Sequence, residues 1–587
     1  MNPLHVTQPM APDDGAEAAT VATHPASRRG GEPAAAASPP TSTGFFARIP
    51  LTLWLVAALA AVLHIAPFWR AQLGARDGWT FAENLSISPD YMQYRVWERQ
   101  SQREGPIITN RFTTEPNRAH LPVFFYWAVG KVAGWIDATP ERVYAYAGSV
   151  FAVLLALLLF ATIRHFLPVA HQTWWVFAAI FFGGGLGAHL KILAEIPALR
   201  DNAMFSRAVV EPLRAWPVFE DYRSHYVVKT LIDTHFLLIW IVALGAVVSF
   251  YFAIARPGVG RWLLCAALFV AITLLHVYEG VTLIAVAGAV TLCCWGLPER
   301  RRAAVGLFAL CTALVGSCYA ILGLLYRRSG LPFPEWNAIN ILFSTLVIAF
   351  PIAWALIAWG IRDYWLRAGL EERFLVGWAL GCTIVTLSGP FFPYPDRGTL
   401  TMPVPLYIVA GGIFFSRFAR VGARQAVLAV ALLGATPLWL AARTWRYTGF
   451  RTDAPFQYVN PSHRRTMAAL AARADTSDVM LAEPQDLLWL APEFPGRLFV
   501  GHFFLTVNFT EKVDALRAAI AEPSRMPALL ETSGARFLFI GASHEPSRFG
   551  GVDGLTPLAT EEVGWLFERT MSGPRPASGP QGTNAIR

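Results

Sequence analysis

Charge is scarce in this chain of 587 residues. Only 15% are Asp, Glu, Lys or Arg, against roughly 25% in a soluble globular protein. That deficit, with 54% hydrophobic residues and a mean hydropathy of +0.41, excludes an ordinary soluble fold. Cysteine is sparse too. All six (Cys265, Cys293, Cys294, Cys311, Cys318 and Cys382) fall within apolar runs, and none has metal-site spacing. Neither a disulfide framework nor a thiolate metal site is expected. No Walker phosphate loop occurs, which leaves an ATP-driven transporter without support. The glycine run "FFGGGLGAHL" (Gly183, Gly184, Gly185, Gly187) is flanked by no strand–helix unit. It reads as close helix packing or an irregular span end. No internal repeat is visible, whereas many transporters show paired halves.

What the chain does have is apolar runs of membrane-spanning length. About eleven spans are expected, near 49–69, 142–166, 173–190, 234–255, 261–276, 278–297, 302–326, 339–361, 373–390, 400–418 and 424–442. The net charge of +8 is not a nucleic-acid signature, because the arginines cluster in short segments between these runs. Arg164, Arg256, Arg261, Arg300–Arg302, Arg362, Arg367, Arg373, Arg417, Arg420 and Arg424 fall in one set of loops. The alternate short loops hold only Arg327, Arg328 and Arg397. The basic set is expected inside. This places the N-terminus in the cytoplasm and, with an odd span count, the C-terminus outside.

Residues 1–44 are Ala-, Pro-, Ser- and Thr-rich and read as a disordered cytoplasmic tail. Residues 45–445 form the transmembrane region, with a large outer loop at 70–141. Beyond it, "DVMLAEP", "GRLFVGH" and "ARFLFIGAS" read as strands. "FTEKVDALRAAIAE" reads as an amphipathic helix with Thr510 as its N-cap. Alternating strands and helices predict a small extracytoplasmic α/β domain over 446–570, followed by a disordered tail at 571–587.

The densest polar stretch, "SPDYMQYRVWERQSQREGPIITNRFTTEPNRAHLP", runs from Ser88 to Pro122. Ser88 reads as an N-cap, Pro89 as the first helical position and Asp90 as a first-turn acid. Asp90, Tyr94 and Glu98 then share one helix face. A first-turn acid can simply complement the helix dipole, worth ~0.3–1 kcal/mol. Asp90 also sits on the outer side close after the first span, where an acid can serve chemistry. Glu115, Arg118 and His120 form a second polar group. The apolar helix after them, interrupted by Lys131, can lie in the interface plane. "LIDTHFLLIW" sets Asp233 and His235 at a span entrance, and "LLHVYEGVTL" sets His276 and Glu279 between two apolar runs. A carboxylate at membrane depth usually marks a site; the alternative is a solvated outer turn. "SGPFFPYPDRGTLTMP" offers Arg397 as a bidentate phosphate ligand, or as a loop arginine paired with Asp396.

These pieces resemble the GT-C superfamily of membrane glycosyltransferases, and more closely a bacterial GT-C-like group known mainly from sequence. The matching segments are "PDYMQYRVWERQSQREG", "TTEPNRAHLPVFFYWAVGKVAG", "THFLLIWIVAL", "LLHVYEGVTL", "PFFPYPDRGTLTMPVPLYIVAGGI", "LFVGHFFLTVNFTEKVDALRAAI" and "GARFLFIGASHEP". They cover most of residues 45–550. The resemblance implies an inverting sugar transfer from a polyprenyl-phosphate-linked donor to a glycan, lipid or protein acceptor at the outer face of a bacterial inner membrane. It implies Asp90 as general base. Tyr94, Glu115, Arg118, His120, Asp233, His235, His276, Glu279 and Arg397 are the candidate substrate-binding residues. Many GT-C enzymes pair two acids in this loop; here Tyr91 follows Asp90. Some use a divalent cation, for which Asp90, Glu115, Asp233 and His235 offer ligands, although no spacing demands one. A non-catalytic GT-C-like partner in envelope polysaccharide assembly and a lipid or polysaccharide transporter are the competing readings.

Overall fold

The computed structural model describes residues 50–83, 89–186, 189, 193, 196–205, 233–332, 341, 343–392, 394–450 and 457–570. The expected tails at 1–44 and 571–587, the Ser88 cap, Gly187 and most of the loop 191–233 lie outside the described residues.

Helix α1 (Leu51–Leu73) shows how the apolar runs fold. Leu53, Ala57, Ala60 and His64 recur at helical spacing and are buried, while Leu55, Leu59, Val62 and Leu63 are exposed. An exposed face that apolar belongs in lipid. Then come α2 (Pro89–Glu104), α3 (Phe124–Trp135), α4 (Pro140–Phe166), α5 (Ala170–Phe181), α6 (Thr234–Ala255), α7 (Val259–Leu275), α8 (Val277–Cys293), α9 (Pro298–Ser329), α10 (Pro351–Leu366), α11 (Leu370–Leu387), α12 (Pro403–Arg417) and α13 (Ala423–Tyr447).

Among the described residues, six segments are helices long and apolar enough to cross a membrane: Leu51–Leu73, Pro140–Phe166, Thr234–Ala255, Val277–Gly296, Pro298–Ser329 and Pro395–Arg417. The chain therefore reads as a polytopic helical membrane protein. The other expected spans fold as helices that miss this standard. At ~1.5 Å per residue, the 12 residues of α5 fall well short of a ~30 Å hydrocarbon core. The 18 residues of α11 carry Glu371 and Glu372 in their first turn. Small residues set the closest contacts. A Cβ at Gly377 or Gly381 would stand 2.6 or 2.5 Å from the Cα of Val290 or Val286, so α8 and α11 touch backbone to backbone. The "FFGGGLGAHL" run behaves likewise: Gly184 is pressed against Thr436 and Pro437 of α13.

Beyond α13 the chain builds a five-stranded sheet of order β6-β5-β7-β9-β8. Its strands are β5 (Val479–Leu481), β6 (Arg497–Leu498), β7 (Phe537–Gly541), β8 (Leu555–Glu561) and β9 (Gly564–Arg569). The first three are the strands expected from sequence. β5 pairs in parallel with β6 and β7, and β9 runs antiparallel to β7 and β8. The expected helix is Phe509–Ala521, but its N-cap is Asn508, in the left-handed region at φ 54°. Thr510 lies inside the first turn instead, because the helix begins one residue before it. Two further two-stranded ladders form: β1 (Thr80–Phe81) with β4 (Tyr458–Val459), which joins distant segments, and β2 (Ile107–Ile108) with β3 (Leu121–Pro122), which closes a local loop.

All five residues of β7 are buried, because the sheet is covered on both faces. Leu538 and Ile540 pack with the Phe509–Ala521 helix through Val513 and Leu516. Phe537 and Phe539 face a second core that includes Met92 and Val96 of α2. Helix α2 is thus part of the C-terminal sheet's own packing.

Candidate active site

Helix α2 is polar yet largely buried, so each of its polar groups needs a partner. Arg95 Nε donates to Glu141 Oε1 at 2.8 Å, and Arg99 Nη2 donates to the same oxygen at 3.1 Å. Arg99 also pairs with Glu493. Gln100 donates to the Thr109 carbonyl at 2.9 Å. Two atoms are exceptions: Glu98 Oε2 and Gln100 Oε1 have no hydrogen-bond partner among the described residues. Burial, then the nearby charge of Glu141, pushes the Glu98 carboxyl well above the usual carboxylate range.

At the start of α2, Asp90 Oδ1 lies 3.0 Å from His502 Nε2, a contact 412 residues apart in sequence. His502 follows β6 and is itself buried. Around this pair the structure gathers side chains from several apolar helix ends. The His235 ring, one residue into α6, stacks on Tyr126 at 5.5 Å and lies 5.4 Å from Tyr94 and 5.6 Å from His276. His276 is the single residue between α7 and α8, with extended backbone. Arg397, in a 3-10 turn (Pro395–Thr399), lies 5.0 Å over the Phe236 ring and 5.9 Å over Tyr394. Both Arg397 and Asp90 are within electrostatic reach of the His235 and His276 rings. Tyr394 in turn meets Tyr278 at 4.5 Å and Phe504 at 5.5 Å.

Of the residues singled out from sequence, Asp90, Tyr94, His235, His276, Glu279 and Arg397 come together here, with Asp233 at the rim. Asp233 caps α6 through the His235 N–H at 3.2 Å and accepts from Tyr144 Oη at 3.1 Å. Glu279 is only 1% exposed, so it is not a solvated turn residue. Its Oε1 is 3.5 Å from His276 Nδ1. Arg397 Nε stands 4.0 Å from Asp396 Oδ2, at the limit of an ion pair. Four buried polar atoms, His235 Nδ1, His276 Nδ1, Glu279 Oε1 and Asp396 Oδ1, have no hydrogen-bond partner among the described residues. Native proteins leave few such atoms unmatched.

Glu115, Arg118 and His120 are placed elsewhere. Glu115 accepts from Lys512 Nζ at 2.7 Å and from Thr113. Burial raises its carboxyl, but these bonds outweigh that and hold it below the usual range. Arg118 is exposed, and its N–H donates to the Ser329 carbonyl at 3.3 Å. The His120 ring stands edge-on to Tyr326 at 5.2 Å, and burial lowers its pKa. Adjacency in sequence suggested one site; the chain turns away through the β2–β3 ladder. The ligand set Asp90, Glu115, Asp233 and His235 therefore does not converge. No group of three or more His, Cys, Asp or Glu side chains among the described residues is arranged to hold a metal ion.

His502 was missed by sequence reasoning. "GRLFVGH" reads as a strand ending in a polar residue, and nothing local ties it to Asp90.

No family model and no curated protein matches the chain. Among solved structures it is similar to the archaeal oligosaccharyltransferase AglB from Archaeoglobus fulgidus, in complex with an inhibitory peptide and a dolichol-phosphate. The identity is 14% and the TM-score 0.39, over 85% of this chain and 70% of that one.

Proposed function

We propose that the protein is an inverting glycosyltransferase of about eleven spans. It moves a sugar from a polyprenyl-phosphate-linked donor to an acceptor hydroxyl on the outer face of a bacterial inner membrane. The N-terminus lies in the cytoplasm, the C-terminal domain lies outside, and α3 lies along the interface. The observation that carries this reading is the gathering of a carboxylate, a guanidinium and unmatched buried polar atoms where apolar helices end. A lipid-linked donor needs no nucleotide pocket. Its tail lies in the bilayer while its head reaches this cluster.

Arg397 holds the donor phosphate with two donors of its planar fork. The unmatched atoms of His235, His276, Glu279 and Asp396 meet sugar hydroxyls. Asp90 takes the proton of the acceptor hydroxyl as its oxygen attacks the anomeric carbon. The new carbon–oxygen bond forms as the bond to the phosphate oxygen breaks. The electron pair of the broken bond leaves on the phosphate, where Arg397 stabilises the growing charge. Attack opposite the leaving group inverts the anomeric centre.

The test compares transfer from a panel of labelled polyprenyl-phospho-sugars by wild type and Asp90→Asn. Asparagine still accepts the bond from His502 and still suits the helix start, but it cannot take the proton. The expected loss is about 10²–10⁴-fold in rate, with stability held within ~1 kcal/mol. Glu98→Gln changes a carboxyl two turns further along the same helix and should transfer normally. Near-normal transfer by Asp90→Asn would refute the base assignment.

A further inference from the structure

Resting on that reading, we infer that His502, a residue of the C-terminal domain, is the positioning residue of Asp90: it donates its Nε2–H to Asp90 Oδ1 and fixes the carboxylate's orientation. The tautomer follows from the hydrogen-bond network. The Phe504 backbone N–H donates to His502 Nδ1 at 3.3 Å. Nδ1 is therefore the acceptor nitrogen and Nε2 carries the hydrogen. That hydrogen points at Asp90 Oδ1, 3.0 Å away.

The same arrangement excludes His502 as the base. Its one lone-pair nitrogen already accepts a backbone N–H, its other nitrogen is a donor, and its side chain is 2% exposed against 21% for Asp90. Of the two, only the carboxylate is open to a substrate. A carboxylate held by a neutral donor keeps its negative charge and its capacity to take a proton.

The loop that carries His502 is built to hold it still. The Leu505 and Thr506 N–H groups both donate to the His502 carbonyl, at 2.9 and 2.8 Å. Thr506 Oγ1 donates to the Phe112 carbonyl at 2.6 Å and accepts from the Gly501 N–H at 3.0 Å. Asn110 Nδ2 donates to the Leu505 carbonyl at 2.7 Å. A Cβ at Gly501 would stand 2.7 Å from the Phe112 ring, so glycine lets the loop lie this close. The His502 ring itself is stacked on Phe503 at 4.7 Å and meets Phe112 at 6.3 Å. The stretch 110–113 of the outer loop and the loop after β6 thus form one braced unit. Its polar tip is the nitrogen that meets Asp90.

Two substitutions separate positioning from packing. His502→Phe keeps an aromatic ring in an aromatic nest but removes the donor. His502→Gln places an amide N–H near the position of Nε2. With a labelled polyprenyl-phospho-sugar as donor, His502→Phe should lower kcat by about 10²-fold, the scale expected of a misplaced catalytic group. Donor KM should hold, and His502→Gln should recover most of the loss. Thermal stability of His502→Phe, Asp90→Ala and the double variant gives a readout independent of activity. Directly bonded residues give non-additive effects; additivity would overturn the assignment. A normal kcat in His502→Phe while Asp90→Asn is inactive would overturn it too, and would leave the base reading intact. Undiminished transfer in Asp90→Asn would remove the parent reading instead, and with it the positioning role.

Discussion

Replacing Arg397 by alanine should weaken donor binding about 10- to 150-fold. The figure follows from the guanidinium's surroundings. Arg397 is 9% exposed and packed over two aromatic rings, so a phosphate it holds is largely shielded from water. A hydrogen bond to a charged group is worth ~1.5–3 kcal/mol, and ~1.4 kcal/mol is a factor of ten in affinity. The alanine variant also loses the contact with Phe236 at 5.0 Å, worth ~2 kcal/mol when desolvated; that loss falls on stability rather than on affinity. Two further variants separate the two losses. Arg397→Lys keeps the charge over the ring but not the fork, and should recover part of the binding. Phe236→Leu keeps the fork and removes the ring, and should cost stability while retaining donor affinity within a few-fold. The assay is equilibrium binding of a labelled polyprenyl-phospho-sugar without acceptor, beside thermal unfolding of each variant. Wild-type affinity in Arg397→Ala would show that the guanidinium only packs, and the phosphate role would fall.

Two other outcomes are expected. Reporters fused after Arg302 and after Arg420 should read cytoplasm and one after Thr570 the outer compartment; a cytoplasmic signal after Thr570 would put the C-terminal domain on the wrong side for the mechanism. Burial, then the charge of Glu483, pushes Asp486 from 3.8 up to about 7. The folded state then holds this proton more tightly than the unfolded chain, so stability is unpenalised below pH ~4, falls as pH rises to about 7 and is level above. At ~1.36 kcal/mol per pH unit the penalty is on the order of 4 kcal/mol. Asp486→Asn should flatten that part of the melting-temperature profile of the full chain, and an unchanged slope between pH 4 and 7 would contradict the assignment.

The apolar helices were legible because hydropathy is a local property, and so were the polar residues at their ends. Asp233, His235, His276 and Glu279 each interrupt or border an apolar run. Their meeting was not legible, because contacts such as His235 with His276 and Asp90 with His502 join segments far apart in sequence. Three features were not legible, for different reasons. Glu115, Arg118 and His120 are near Asp90 in sequence but are turned away by a short ladder. The β8–β9 hairpin escaped notice because "LTPLATE" contains Pro557, where the pairing register shifts. Helix α2 has the composition of a solvated helix, and only the structure shows Arg95, Arg99 and Gln100 matched to buried partners.

The sharing of one core between α2 and the C-terminal sheet also sets an order of events during synthesis. Met92 and Val96 are made well before their packing partners Met480, Phe537 and Leu566. Until those residues have been translated and moved to the same side as α2, the helix lacks the surface it folds against, and Asp90 lacks the histidine 412 residues downstream. A nascent or truncated chain inserted in the bilayer would therefore lack the Asp90–His502 contact. Assembly of these strands would act as a quality check, because the Asp90–His502 contact forms only once the sheet that α2 packs against is in place.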